Sequence, residues 1–159
     1  ESFRPFAPSI LKEDVKNWFE LNQDSPYMLF VSEIKKNKRK KISEEQKYLF
    51  GIDQLNLQRS EVPAVTHVDY SARIQTVDQN INFKFYKLIK KFAEKTNCPI
   101  LVNTSFNVRG EPIVNTPIDA FNCFMGTNLD KLVIGPFYLD KNNQKSELKV
   151  NYKDNFELD

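Results

Sequence analysis

Short apolar runs of strand character alternate along this chain with amphipathic stretches of helical period, which specifies an α/β architecture, a sheet layer with helices packed on it. Two stretches anchor the expectation. Residues 81–95 place Ile81, Phe85, Leu88, Ile89, Phe92 and Ala93 on one helical face, with Lys84, Lys87, Lys90, Lys91 and Lys95 opposite. Residues 99–102 form a fully apolar run of the kind buried on both faces of a sheet. The 159 residues, 40% hydrophobic and 13% aromatic, suit one compact core and exclude general disorder. No internal repeat is visible.

From the N-terminus, two prolines hold residues 3–10 extended. Ser9 is placed to cap a helix in which Leu11, Val15, Trp18 and Phe19 make one apolar stripe. Pro26 opens residues 27–31, expected as a buried strand. The composition then shifts: six of the seven residues 35–41 are cationic, and 33–61 is a polar excursion from the core. A short helix is expected over 44–50, from a capping box at Ser43 to a stop at Gly51. The basic run has no apolar residue to anchor it and is expected to be a mobile, solvated loop. Residues 64–68 and 72–77 are expected as two short strands flanking Asp69-Tyr70-Ser71. Further on, Thr116 caps, Pro117 opens and Asp119 supports a helix ending at Gly126, with Ala120, Phe121, Phe124 and Met125 inward. Residues 132–139 read as a last strand broken by Gly135-Pro136, and 141–159 as a polar tail.

The 23 Lys and Arg against 21 Asp and Glu leave a net charge of +2, too small for a whole-domain footprint on nucleic acid or an anionic membrane. No apolar stretch approaches the roughly 18 residues that span a bilayer. Residues 1–5 lack the pattern of a secretory signal and read as the interior of a longer chain. Cys98 and Cys123 sit among apolar neighbours, and two thiols fill neither a disulfide framework nor a zinc site. Buried reduced thiols in a cytoplasmic protein are expected, with no metal centre.

Two polar segments beside apolar strands are the candidate sites. In the first, His67, Asp69, Ser71, Arg73 and Gln75 share one parity, so an extended chain projects them from the same side unless Asp69-Tyr70-Ser71 turns. Arg73 would take a phosphate in bidentate fashion, and Asp69 would hold His67 or Arg73. The second follows the strand at 99–102, where open α/β sheets place ligands, and offers Asn103, Thr104, Ser105, Asn107 and Arg109 ahead of Gly110. It lacks the spaced glycines and Lys-Ser/Thr pair of a P-loop, and the Gly-x-Ser-x-Gly of a nucleophile elbow. Ser105 is therefore expected to hydrogen-bond a phosphate or carbonyl rather than attack. These residues predict an anion-binding or phosphate-binding α/β domain. A polar ladder on a wet strand face, and a nucleic-acid contact through 35–41, are the competing readings.

Three long motifs add a family. They are Phe3-Arg4-Pro5-Phe6-Ala7-Pro8-Ser9, the run from Pro63-Ala64-Val65-Thr66-His67-Val68-Asp69 through Ser71-Ala72-Arg73-Ile74-Gln75-Thr76-Val77, and Asn103-Thr104-Ser105-Phe106-Asn107-Val108-Arg109-Gly110 with Glu111-Pro112-Ile113-Val114. In that order they resemble the C-terminal domain of NodU/CmcH-type carbamoyltransferases over residues 1–140. The excursion at 33–61 is longer than is associated with the family, and Tyr70 stands where many members have glycine. The resemblance implies a YrdC-like fold, a twisted mixed sheet with packed helices, and an N-terminal acetate-kinase/actin-like domain as its partner. It implies an O-carbamoyltransferase whose YrdC-like half reacts carbamoyl phosphate with ATP to give carbamoyl adenylate and pyrophosphate. The other half passes the carbamoyl group to a hydroxyl of a sugar or aminoglycoside.

Ser105-Phe106-Asn107 resembles the Ser-x-Asn signature of YrdC-like sites. Its Lys-x-Arg partner is expected just upstream of Glu1, so residues 1–159 alone are expected not to carbamoylate an acceptor. On this resemblance Arg73 and Arg109 would neutralise phosphates, with Arg4 as a third cation, and Ser105 and Asn107 would hydrogen-bond phosphate or carbamoyl oxygens. His67, Asp69, Ser71, Gln75, Asn103 and Thr104 would bind and orient substrate and nucleotide. Mg²⁺ would accompany ATP, held mostly by phosphates and water, with no tightly bound cofactor. A cytoplasmic enzyme without membrane or nucleic-acid partners is the resulting expectation. An RNA-binding YrdC-like module and a non-catalytic structural domain are the alternatives.

Overall fold

A computed structural model describes residues 5–148 together with Tyr152 and Phe156. The chain falls into two compact units, Glu1–Thr104 and Ser105–Asp159. The first is built on a mixed sheet of four strands, β1 (Ala7–Leu11), β2 (Phe30–Glu33), β3 (Ser71–Val77) and β4 (Ile100–Asn103), in the order β2-β3-β1-β4. β1 runs parallel to β3 and antiparallel to β4, and β2 pairs antiparallel with β3 at the far edge. Ile10, Ala72, Ile74 and Ile100 on one face of the sheet pack with Trp18, Phe19, Leu21, Ile34 and Val65. Leu11 and Val77 on the other face meet Tyr86 and Ile89. With neighbours on both edges and both faces, β1 is buried along its whole length. The α/β expectation is met.

Several local expectations are corrected. Ser9 is not a helix cap: the chain stays extended to Leu11, then makes a 3-10 turn at Lys12–Asp14 and a single α-helical turn, α1 (Val15–Trp18). The strand holds Ser9 because its buried hydroxyl donates across to Gln75 on β3. The apolar run at 27–31 is not a buried strand. It becomes the edge strand β2 only from Phe30, and Leu29 and Val31 are 75% and 63% exposed, neither of them joining a core cluster of the described residues. Residues 64–68 form no strand either. Pro63–Val65 make a 3-10 turn, and the chain reverses at 67–70 before β3 begins, with Tyr70 in the left-handed region at φ 66°. That is a conformation glycine adopts without penalty and tyrosine does not.

The excursion folds differently from its pattern as well. The helix expected at 44–50 is a 3-10 turn at Glu45–Tyr48, although Ser43 and Gln46 make the reciprocal bonds of a capping box, at 3.0 and 3.3 Å. Gly51, at φ 63°, leads into a further turn, α2 (Ile52–Leu55). The basic run is tied down. Lys35 pairs with Glu20 at 2.7 Å, Lys38 with Glu61 at 3.0 Å and Arg39 with Glu33 at 2.6 Å. The Lys38 ammonium also lies 4.1 Å from the centre of the Trp18 ring. Carboxylates and a ring anchor it, where an apolar count finds nothing.

The long helix α3 (Phe83–Thr96) starts at Asn82, whose side chain accepts from the Phe85 N–H, and ends at Asn97 in the left-handed conformation. Its buried side is rotated from the expected stripe: Tyr86 and Ile89 point inward, while Ile81, Leu88 and Phe92 are exposed. The Tyr86 hydroxyl donates to Glu13, which raises its pKa to about 12 and holds that side of the helix against the sheet.

The second unit centres on α4 (Pro117–Gly126), with the expected capping box: the Asp119 N–H donates to Thr116 Oγ1 at 3.1 Å and the Thr116 N–H to Asp119 Oδ2 at 2.9 Å. Ala120, Phe124 and Met125 are buried against Leu132, with Phe106, Val114 and Phe121 packed around them. Residues 132–139 are two strands rather than one broken strand. β5 (Lys131–Ile134) and β6 (Phe137–Asp140) form a hairpin around Gly135-Pro136, with Gly135 at φ 55°. In the polar tail, Tyr152 is buried so close to Gly126 that a Cβ there would lie 1.9 Å from its own. Cys123 is buried and Cys98 half-buried; neither is in a disulfide, and burial pushes both thiols up. Among the described residues no helix is long and apolar enough to cross a membrane.

Candidate functional site

In the first unit, the segments leading into the parallel strands β1 and β3 line a cavity of about 550 Å³ with Phe6, Arg59, Ala64, Thr66, His67 and Asp69 on its walls. The Phe6 N–H donates to the Ala64 carbonyl at 2.9 Å, which ties the lead-in of β1 to the turn before β3. Below it the buried Thr66 hydroxyl donates to the Val62 carbonyl at 2.8 Å and lies 2.7 Å from Ser60 Oγ. These bonds fix the backbone from which His67 and Asp69 project. The loop closes on itself, with the His67 N–H donating to the Ser71 carbonyl at 2.9 Å and the Ser71 N–H to Asp69 Oδ1 at 2.9 Å. Hydrogen bonds from the Ser71 hydroxyl and N–H hold the Asp69 carboxyl below its ordinary range, and the nearby His67 adds to this.

The shared parity of His67, Asp69, Ser71, Arg73 and Gln75 does not survive, because the chain turns at Tyr70. Only Ser71, Arg73 and Gln75 lie on one strand face. Arg73 is exposed there. Gln75 joins a different cluster, built from three adjacent strands. Ser9 Oγ and Asn103 Nδ2 each donate to Gln75 Oε1 at 2.6 Å, Asn103 Nδ2 also reaches Ser9 Oγ at 3.1 Å, and Gln75 Nε2 donates to the Pro26 carbonyl at 3.1 Å. Thr104 is exposed just past β4. Arg4 lies outside the described residues.

Ser105, Asn107 and Arg109 belong to one loop of the second unit. Asn107 Nδ2 donates to the Glu111 carbonyl at 2.8 Å, and the Val108 N–H donates to Glu111 Oε2 at 2.7 Å. The Tyr152 hydroxyl donates to the same buried carboxylate, and burial, followed by that bond, pushes the tyrosine far up. Ser105 and Arg109 are exposed on this braced loop.

The structure thus gathers His67 and Asp69 with Arg59 and Phe6, and gathers Gln75 and Asn103 with Ser9. Arg59 and Ser9 escape a reading of the sequence. Arg59 sits in a polar excursion with no motif around it. Ser9 shares the parity of Ala7 and Leu11, which is the strand signal that marks it.

Residues 1–141 match the family described as Carbamoyltransferase C-terminus. The chain belongs to that family. It is 54% identical over 160 residues to the Synechocystis protein sll1178, covering 100% of this chain and 26% of that protein. It is 41% identical to the nodulation protein NolNO of Sinorhizobium fredii, over 92% of this chain and 19% of the relative. It is 30% identical to the 3'-hydroxymethylcephem-O-carbamoyltransferase of Amycolatopsis lactamdurans, over 85% of this chain and 22% of that enzyme. The carbamoyltransferase C-terminal domain therefore spans about a quarter or less of the curated relatives it matches.

Proposed function

We propose that this domain forms carbamoyl adenylate from carbamoyl phosphate and ATP, for transfer to a hydroxyl acceptor such as a sugar. The fold is proposed as YrdC-like, in a cytoplasmic enzyme with an acetate-kinase/actin-like domain on its N-terminal side. The observation that carries the reading is the cavity where His67 and Asp69 meet, on the turn that leads into β3 and its exposed Arg73. A relative named for O-carbamoylation of a hydroxymethylcephem supports transfer to oxygen.

The chemistry suits these side chains. Water takes the phosphoryl group of carbamoyl phosphate and releases phosphate, and the carbamate left behind attacks the α-phosphate of ATP and displaces pyrophosphate, so the step crowds anions together. Such a reaction needs cations and oriented dipoles more than a protein nucleophile. Arg73 and Arg109 would neutralise phosphates, Ser105 and Asn107 would hydrogen-bond phosphate or carbamoyl oxygens, and His67 and Asp69 would orient substrate. Among the described residues no three carboxylates, histidines or cysteines are grouped to hold a metal ion. The Mg²⁺ of Mg·ATP would ride mostly on phosphates and water.

Carbamoyl-phosphate-dependent pyrophosphate release by the full-length protein tests the reading. Arg73→Ala and Arg109→Ala should each lower it at least about tenfold, since a charge-assisted hydrogen bond contributes about 1.5–3 kcal/mol, while the circular dichroism stays native. Wild-type release in both variants would overturn the proposal.

A further inference from the structure

We infer that Arg59, outside every motif of the sequence, makes the floor of this cavity a binding site for the phosphoryl group of a small ligand. The residue is only 4% exposed, yet no carboxylate of the described residues lies within ion-pair distance. Its one side-chain bond runs from Nη2 to the Gln54 carbonyl. A guanidinium carries five N–H donors, and no sealed-in side-chain nitrogen in the described residues lacks a partner. The remaining donors of Arg59 are therefore not sealed in, and the residue lines the cavity. A buried cation without a counter-ion is costly to hold, and a bound anion removes that cost.

Phosphoryl oxygens match the planar fork. The cavity has the size of a small-molecule site, and the half-exposed Phe6 ring and Leu55 add an apolar wall for the rest of such a ligand. Asp69, the one carboxylate on the walls, is engaged by the hydroxyl and N–H of Ser71 and makes no ion pair with Arg59. It leaves the guanidinium to the ligand.

Titration calorimetry of the intact protein with inorganic pyrophosphate tests this without reference to turnover. Arg59→Gln should weaken binding at least tenfold, Arg59→Lys should keep part of it, and Lys91→Gln, on the exposed side of α3, should match wild type. Ala64→Glu places a carboxylate on the wall beside a retained Arg59. It should also weaken binding tenfold, and it carries the test if Arg59→Gln fails to fold. No pyrophosphate binding by the wild type, unchanged affinity in a folded Arg59→Gln or Ala64→Glu, or an equal loss in Lys91→Gln would overturn the inference. It deepens the adenylation reading but fails separately from it. Unchanged binding in Arg59→Gln beside lost turnover in Arg73→Ala sinks this site alone, and the converse pattern sinks the adenylation reading alone.

Discussion

The two polar clusters of the first unit use similar side chains in opposite ways. Ser9, Gln75 and Asn103 lie on three adjacent strands and bond one another, with the last Gln75 donor going to the Pro26 carbonyl. Arg59, His67 and Asp69 stand on loops around a cavity, and none of them bonds another through its side chain. Between paired strands a polar group finds little water, so it must be satisfied within the protein. Groups that line a cavity, whether Arg59 at its floor or His67 and Asp69 on its loop, can instead be satisfied by a ligand. The closed network holds the sheet together; the open one is the proposed place of recognition.

The largest effect that could break this contrast lies in the closed cluster. Gln75→Leu removes an acceptor used twice and a donor used once, leaving Ser9 and the Pro26 carbonyl short of partners in a half-buried place. A stability loss of about 2–3 kcal/mol is expected in denaturant titration with an unchanged m value, given about 1–3 kcal/mol for each buried polar group left unpaired. A loss below about 0.5 kcal/mol would mean that water already serves these groups, and the distinction between the clusters would collapse.

A smaller effect on stability, with a larger one on function, is expected in the open cluster. His67→Asn should change stability by no more than about 0.5 kcal/mol, because the half-buried imidazole sits on a loop held by backbone bonds. Carbamoyl-phosphate-dependent pyrophosphate release should fall severalfold in the same variant. The opposite result, a destabilised protein with normal turnover, would make His67 a member of the closed kind.

Legibility in the sequence follows the same division between local and distant causes. The helix from Pro117 is legible because its cap, first-turn proline and acid are within four residues of one another. β4 and α3 are legible from uninterrupted apolar or amphipathic patterns. The run at 27–31 misleads because apolar content does not say whether a second strand will cover it, and that depends on the order of strands in the sheet. The basic run misleads for a related reason, since Glu20, Glu33 and Glu61 reach it only after folding. In the site, His67 and Asp69 are two residues apart and are legible together. Arg59 becomes a wall of the same cavity through the fold of an excursion whose composition reads as wet.

The smallest expected effect sharpens the contrast by pH. The closed cluster contains no titratable group, whereas Asp69 does titrate, and the Ser71 hydroxyl and N–H, followed by His67, hold its carboxyl below the ordinary value of 3.8. A carboxyl depressed in the folded state contributes stability that is present above the unfolded value and is lost as pH falls through the folded one. Asp69→Asn keeps an oxygen to accept the Ser71 N–H but removes the titration. The melting-temperature gap between wild type and Asp69→Asn should therefore be open at roughly pH 6 and close as the pH drops through and below 3.8. The gap should be small, because the group is exposed and its charge is screened by solvent. A gap that persists unchanged well below that pH would show that Asp69 acts in its turn by shape alone, leaving Arg59 to carry the charge that distinguishes the open cluster.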